Sequence, residues 1–310
     1  MAITYPPTAP SLSGDVLTIS RFLNTPTAVA RRLRTIAENR FIADVLLSGR
    51  VEGSSILYET DESIYTSRAP EVVAPGAQYP RSLAPTGTAA VANPVKWGQE
   101  VPITDEEVGR FRGDAVERNL QKIVNYLVYT VDTTVLAVIA AAVTQSVAAL
   151  ANWNSLSTAN PILDLLRAKA TIRQLNKGYE PDTVACDDFA YAYIIGNFNV
   201  LATMAREQGQ NNSSITGNLV TLAGLRILPT PNLPTAGTAI VVDSTVLGSL
   251  GYERIPSPEY SGDPANGVET QTRRNPAGND EWLVRGRRPV VGFVQEPGAG
   301  CKITGIGTLT

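Results

Sequence analysis

The sequence predicts an α+β fold organised round one long helix, and three observations predict it. From Thr104 to about Ala149, Val108, Phe111, Val116, Leu120, Ile123, Leu127, Val131, Val135, Ile139 and Val143 recur at steps of mostly three and four, one apolar stripe of helical period. Ahead of it, residues 49–103 carry β-forming runs punctuated by Pro70, Pro75, Pro80 and Pro85, the pattern of two strands and a long tip. After it, residues 161–254 alternate helix and strand signals, and the chain then closes on strand-like runs.

Composition narrows the chemistry. The chain has 310 residues, 26 basic and 29 acidic, for a net charge of −3, so no overall field draws it to nucleic acid or membrane. It has no histidine, which removes Ser-His-Asp and Cys-His catalysis, HExxH zinc sites and the usual general base near neutral pH. Its two cysteines, Cys186 and Cys301, stand in no metal-ligand spacing and read as reduced thiols of a cytosolic protein. The start has no basic and apolar signal segment. The uncharged run Thr133–Leu163 is long enough to span a bilayer, but it is rich in Ala, Thr, Ser and Asn and continues an amphipathic stripe. We read it as a buried helix end.

Residues 1–48 form an N-terminal arm and short helix. Pro6, Pro7, Pro10 and Pro26 mark a polar segment with little to bury, and an amphipathic helix follows from Thr27. Arg31, Arg32, Arg34 and Arg40 make it locally basic, either as an interaction arm or as a solvated helix face.

Residues 49–103 form an extended β-hairpin loop. Ser55–Tyr58 and Ser63–Thr66 lead out, and Thr88–Val91 with Val95–Trp97 return, about a tip near Pro75–Gly87. A lone two-stranded ribbon is marginal in water, so another surface must support it. Its acids, among them Glu59, Asp61, Glu62 and Glu71, outnumber its bases. The basic arm of one subunit is therefore expected to meet the acidic ribbon of another.

Residues 104–152 hold the long helix. Thr104 with Glu107 makes a capping box, and Asp105, Glu106 and Glu107 set negative charge on the positive end of the helix dipole. Arg110, Asp114, Arg118, Gln121, Asn125 and Asp132 lie off the apolar stripe. About 45 residues make a rod of roughly 65 Å, and if Gly109 and Gly113 bend or break its first turns about 36 residues still span roughly 54 Å, against the ~50 Å diameter of a compact globule of this size. Such a rod predicts an elongated protomer that needs neighbours to cover it.

Residues 153–255 read as an α/β unit: a helix from Pro161 stopped at Gly178, a buried strand Thr183–Cys186, a helix capped by Asp187 or Asp188, a further short helix over FNVLATMAREQ, and strands bounded by Pro229, Pro231 and Pro234. Residues 256–310 supply a hairpin about Pro276–Gly278, then strands at Pro289–Gln295 and Lys302–Ile306, expected to return to the rod.

Motifs of catalysis fail on inspection. GAGCKITG has Cys301 where a phosphate loop needs glycine before Lys302, and the upstream glycine spacing is wrong. Asp105–Glu107 and Asp187–Asp188 are explained as helix caps. Arg285, Arg287 and Arg288 form the sharpest basic cluster, suited to phosphate contact, to salt bridging between subunits, or to a solvated strand edge. No catalytic residue, cofactor or metal site is predicted.

The order of these parts resembles the major capsid proteins of tailed bacteriophages, with the HK97-like fold. DLLRAKATIRQLNKGYEPDTVACDDFAYAYI looks like the opening of that family's axial domain, and LVTLAGLRILPTPNLPTAGTAIVVDSTVLGSLGYERI like its glycine and proline-bounded strand passage. RRPVVGFVQEPGAGCKITGI is similar to the closing strands, with Glu296, Pro297 and Ala299 as an EP-x-A element.

The resemblance implies an N-arm, an extended loop, a spine helix with a peripheral-domain sheet, and an axial domain. It implies hexamers and pentamers of this chain closing into an icosahedral virion shell round double-stranded DNA, touched only non-specifically and assembled in the host cytoplasm. Portal, a separate scaffolding protein and a decoration protein are the expected partners, and a membrane is not. Met1 directly precedes the arm, so no cleaved scaffolding extension is expected. No lysine lies between Gly49 and Val95, so the cross-linking chemistry of some members is not carried over. The loop Gly209–Asn218 would line the capsomer axis or form a mobile surface loop. An encapsulin-like nanocompartment shell is the alternative reading.

Overall fold

The computed structural model describes residues 41–111, 113–155, 158–197, 221–265 and 267–307. Arg31, Arg32, Arg34 and Arg40, the helix expected after Asn197 and the loop Gly209–Asn218 lie outside the described residues. The chain divides into two units, one of Met1–Phe41, Pro94–Val131 and Tyr252–Val290, the other of Ile42–Asn93, Asp132–Gly251 and Val291–Thr310.

In the first unit, β4 (Val95–Thr104) runs into α2 (Asp105–Phe111) and α3 (Gly113–Ala142), whose residues from Asp132 on belong to the second unit. The capping residue acts as expected: Thr104 Oγ1 accepts the Glu107 N–H at 3.2 Å. Asp105 also takes a two-pronged bond from Arg274, which holds its carboxyl below the usual carboxylate range. The strand β12 (Glu281–Val294) pairs antiparallel with β4 from Glu281 to Val290 and with β11 (Glu269–Arg274) from Trp282 to Arg287. Gly286 lets this sheet approach α3, since a Cβ there would lie 2.7 Å from Ile123 Cγ2 and 3.3 Å from Leu127 Cδ1. Val116, Leu120, Ile123, Val124 and Leu127 are accordingly buried.

In the second unit, α1 (Ala43–Leu46) leads to β1 (Gly49–Glu52), which pairs with β10 (Gly248–Tyr252), itself beside the end of β12. A ribbon of β2 (Ile56–Thr60) and β3 (Thr88–Ala92) follows. The larger sheet has the order β5-β13-β9-β6-β8-β7. Its strands are β5 (Gln145–Ala148), β6 (Thr183–Cys186), β7 (Thr221–Leu222), β8 (Leu225–Pro229), β9 (Ala239–Val242) and β13 (Gly300–Thr304). The helices α4 (Pro161–Arg173) and α5 (Asp188–Gly196) belong to the same unit. β6 and β9 are buried at every residue, as apolar runs in the middle of a sheet must be.

Several expectations are corrected. The long helix runs from Gly113 and ends at Ala142, about 45 Å of rise for its 30 residues, short of both the roughly 65 Å rod and the roughly 54 Å left by a break at Gly113. Gln145–Ala148 leaves the helical path because β13 offers it a parallel ladder, Cys301↔Gln145 to Thr304↔Ala148, and tertiary pairing overrides local periodicity. The Lys302 ammonium then donates to the Ala140 carbonyl at 3.1 Å, placing a cation on the negative helix end. β13 therefore joins the larger sheet, with β9 on its other side, and does not return to the rod. Pro289–Gln295 is no separate strand but the continuation of β12. α4 stops at Arg173, before Gly178, and Asp187 precedes α5 with no side-chain capping bond.

Asp132 was expected off the apolar stripe, yet it is fully buried. Among the described residues one helix span, Arg118–Ala142, is long and apolar enough to cross a membrane, but it buries Leu120, Ile123 and Leu127 within the protein and carries this buried acid.

Candidate functional site

The ribbon is shorter and more irregular than its sequence suggests. β2 and β3 pair over five positions, Ile56↔Ala92 to Thr60↔Thr88. Ser63–Thr66 forms no strand, and Val95–Trp97 belongs to β4, paired with β12, not to a return limb. One ribbon face is anchored: Ile56 and Ala92 pack on Phe293, with Tyr58 and Val291 beside them. The opposite face carries the cross-strand pair Leu57 and Val91, 73% and 57% exposed. Beyond it, residues 61–87 bury nothing, although Ile64, Tyr65, Val72, Tyr79 and Leu83 are among them. So much uncovered apolar surface on one excursion is the signature of an interaction surface, not of a self-sufficient fold.

The base of the excursion is fixed by charge. Lys177, in the turn after α4, donates to Asp61 Oδ1 at 2.7 Å and to the Glu62 carbonyl at 3.3 Å, and lies 3.5 Å from Glu296 Oε2. Burial alone would lower the Lys177 pKa, but the Asp61 hydrogen bond and the nearby Glu296 charge raise it overall. The acids beside it thus favour the ammonium form. Tyr179 donates to Glu296 Oε2 at 2.6 Å, and burial with that bond pushes its phenol well above the usual range.

The other predicted site residues are placed as follows. Glu59 Oε2 accepts the Gly87 N–H at 3.2 Å, closing the ribbon end, and Glu71 pairs with Arg68 at 2.6 Å on the surface. Arg285 reaches Glu100 across the β12–β4 ladder and Gln271 Oε1 across the β12–β11 ladder. Arg287 is buried, bonded to Glu269 at 2.6 Å and stacked 3.7 Å over Tyr260. Arg288 is fully buried with its guanidinium 4.1 Å over Phe41. The three arginines are therefore not one patch: Arg287 and Arg288 act inside the chain, and Arg285 alone is partly exposed.

Sequence reasoning missed Lys177 and Glu296 as the ribbon's anchors: both stand in stretches that carry the resemblance, but Lys177 and Asp61 are 116 residues apart and no local pattern links them. Cys186 and Cys301 are buried free thiols, pushed by burial to about 12 and about 11. Among the described residues no group of acids or cysteines is placed to hold a metal ion.

Comparison with known proteins agrees with this architecture. Residues 88–303 match the family model described as phage capsid protein. The fold is similar to the capsid structure of the cyanophage P-SCSP1u, at 17% identity and TM-score 0.59, covering 85% of this chain and 88% of that one. It is also similar to a structure from Microbacterium phage Oxtober96, at 12% identity and TM-score 0.59, covering 85% and 90%. A virus-like particle from Pyrococcus furiosus aligns at 12% identity and TM-score 0.57, covering 88% and 98%. No curated protein matches the sequence.

The fold is thus HK97-like, and the chain is a structural subunit that forms a shell with copies of itself. It belongs to the phage capsid protein family, as a major capsid protein of the virion.

Proposed function

We propose that this major capsid protein assembles as hexamers and pentamers into an icosahedral shell enclosing double-stranded DNA. The observation that carries this reading is the excursion 61–87, which buries none of its own residues while presenting Ile64, Val72, Tyr79 and Leu83. Those side chains gain cover when the excursion lies on the next subunit, and obligate interfaces of that kind commonly exceed about 2,000 Å². The arm with Arg31, Arg32, Arg34 and Arg40 meets the acidic ribbon of a neighbour, where Glu59, Asp61, Glu62 and Glu71 stand, and Arg285 contributes from the sheet. Residues 1–48 are the arm and short helix, 49–103 the extended loop, 104–152 the spine-helix segment, 153–255 the axial domain and 256–310 the return strands, of which β13 pairs with β9 and β5 in the larger sheet. The shell forms in the host cytoplasm, with a portal, a separate scaffolding protein and a decoration protein as partners. DNA is held without sequence preference, and the chain performs no catalysis.

The test is assembly of the purified full chain, followed by sedimentation and negative-stain microscopy. Closed particles of uniform size are expected. A subunit that remains monomeric under all assembly conditions would overturn the proposal. Particles recovered from infected cells should protect DNA from nuclease; protein cargo in its place would identify a nanocompartment.

A further inference from the structure

We propose that Lys177 is the pin of a clip that fixes the direction in which the ribbon leaves its own subunit, before any neighbour is met. An ammonium has three donors, and three acceptors surround this one: Asp61 Oδ1, the Glu62 carbonyl and Glu296 Oε2. Two of them lie where the chain leaves β2, and the third lies just after β12. The pin is therefore inserted between the ribbon's exit and the body of its own unit.

Three further contacts close the same junction. The Asp61 N–H donates to the Gln295 carbonyl at 2.9 Å. The Tyr65 hydroxyl donates to the Asn176 carbonyl at 2.6 Å, tying the excursion to the residue next to the pin. The Tyr179 hydroxyl holds Glu296 Oε2 at 2.6 Å, so the pin's second carboxylate is itself oriented.

The backbone on both sides is bent to suit. Asp61 and Asn176 have φ of 54° and 53°, left-handed conformations that Asp and Asn tolerate better than other side chains but do not prefer. Two such residues facing one lysine are hard to account for as a chance surface ion pair. Isolated exposed pairs give little, but the Lys177 and Glu296 side chains are each only 19% exposed, and the contacts form one network.

The consequence rests on the shell-forming reading. A flexible excursion must be ordered when it docks, at a cost in side-chain and backbone freedom. A clip that sets the exit direction in the free subunit lowers that cost and speeds docking.

The experiment has two arms. Hydrogen exchange is followed on the unassembled full chain as wild type, Lys177→Gln, Lys177→Arg and Tyr65→Phe. In Lys177→Gln the Asp61 amide and the β2–β3 amides should exchange at least about tenfold faster, while α4 and β6 stay unchanged; Lys177→Arg should fall between. Tyr65→Phe, which removes one exposed hydroxyl, should raise exchange at residues 61–66 alone. Exchange of the Asp61 amide within about twofold of wild type in both Lys177→Gln and Tyr65→Phe would overturn the clip.

The second arm is the assembly rate, expected to fall several-fold in Lys177→Gln and to recover in Lys177→Arg. Loosened exchange with an unchanged rate would overturn the docking role. Failure of the wild type to assemble would count against the shell reading and leave the exchange result standing on its own.

Discussion

Asp132, two-thirds of the way along α3, accepts the backbone N–H of Ala43 at 3.1 Å through Oδ1 and that of Ile42 at 3.2 Å through Oδ2. A fully buried carboxylate thereby caps the start of α1 across 89 residues of sequence. Two amides and one acid that would each be costly to bury alone satisfy one another. Asp132→Ala should lower the stability of the unassembled subunit by roughly 2–4 kcal/mol, and Asp132→Asn, which keeps one acceptor, by about half as much. Urea unfolding measures both. A wild-type midpoint for Asp132→Ala would show that the two amides find other partners.

Close packing of sheet on helix depends on Gly286. A Cβ there would sit 2.7 Å from Ile123 Cγ2, nearer than side chains pack. Gly286→Ala should therefore cost about 1–3 kcal/mol by overpacking. Removing the opposing methyl should return part of it: Gly286→Ala with Ile123→Ala, which takes away Cγ2, should be more stable than the sum of the single changes predicts. Thermal melts of the three variants decide the matter, and strict additivity would mean that the two residues do not meet.

The buried thiols predict an alkaline limit. Folding raises Cys186 from 9.0 to about 12 and Cys301 from 9.0 to about 11. Above pH 9 the unfolded thiols release protons that the folded ones keep, so the unfolded state binds fewer protons and stability falls as pH rises. Each thiol contributes a slope of up to about 1.4 kcal/mol per pH unit between its unfolded and folded pKa. Urea midpoints from pH 8 to pH 11 should drop more steeply in wild type than in the Cys186→Ala, Cys301→Ala double variant. Equal slopes would refute the assignment. Alkylation of the native chain should be slow for both thiols, since neither is exposed.

The exposed ribbon face separates folding from assembly. Leu57 and Val91 stand opposite each other and contribute nothing to the core of their own chain. Leu57→Glu and Val72→Glu should change subunit stability by no more than about 0.5 kcal/mol, as surface substitutions do, while abolishing or strongly reducing particle yield. Melting curves and electron microscopy of the same preparations give the two readings. Normal particle yield from both variants would remove this surface from the interface.

Much of the fold was legible because local chemistry and tertiary structure agree there. Thr104 caps its helix, Thr183–Cys186 is a buried strand, and the turn at Pro276–Gly278 joins two paired strands. The failures share one cause: a distant partner overrode a local pattern. Gln145–Ala148 continues a helical stripe in sequence but is drawn into a sheet by Cys301–Thr304. Arg287 and Arg288 look like surface charges until Glu269, Tyr260 and Phe41 are brought to them. Asp132 looks like a polar-face residue until the end of the arm arrives over it. In the candidate site the acids of the ribbon were visible, but Lys177, which holds one of them, was not.

Beyond the junction held by Asp61, Glu62 and Tyr65, no residue from 66 to 86 is buried in its own chain, so mutation there escapes the usual penalty of misfolding. Under the proposed assembly, selection on that stretch acts through the neighbour that would cover it. Related viruses are thus free to diversify its length and sequence quickly, provided each change is matched on the opposing surface, and a foreign peptide grafted at its tip should leave an intact subunit.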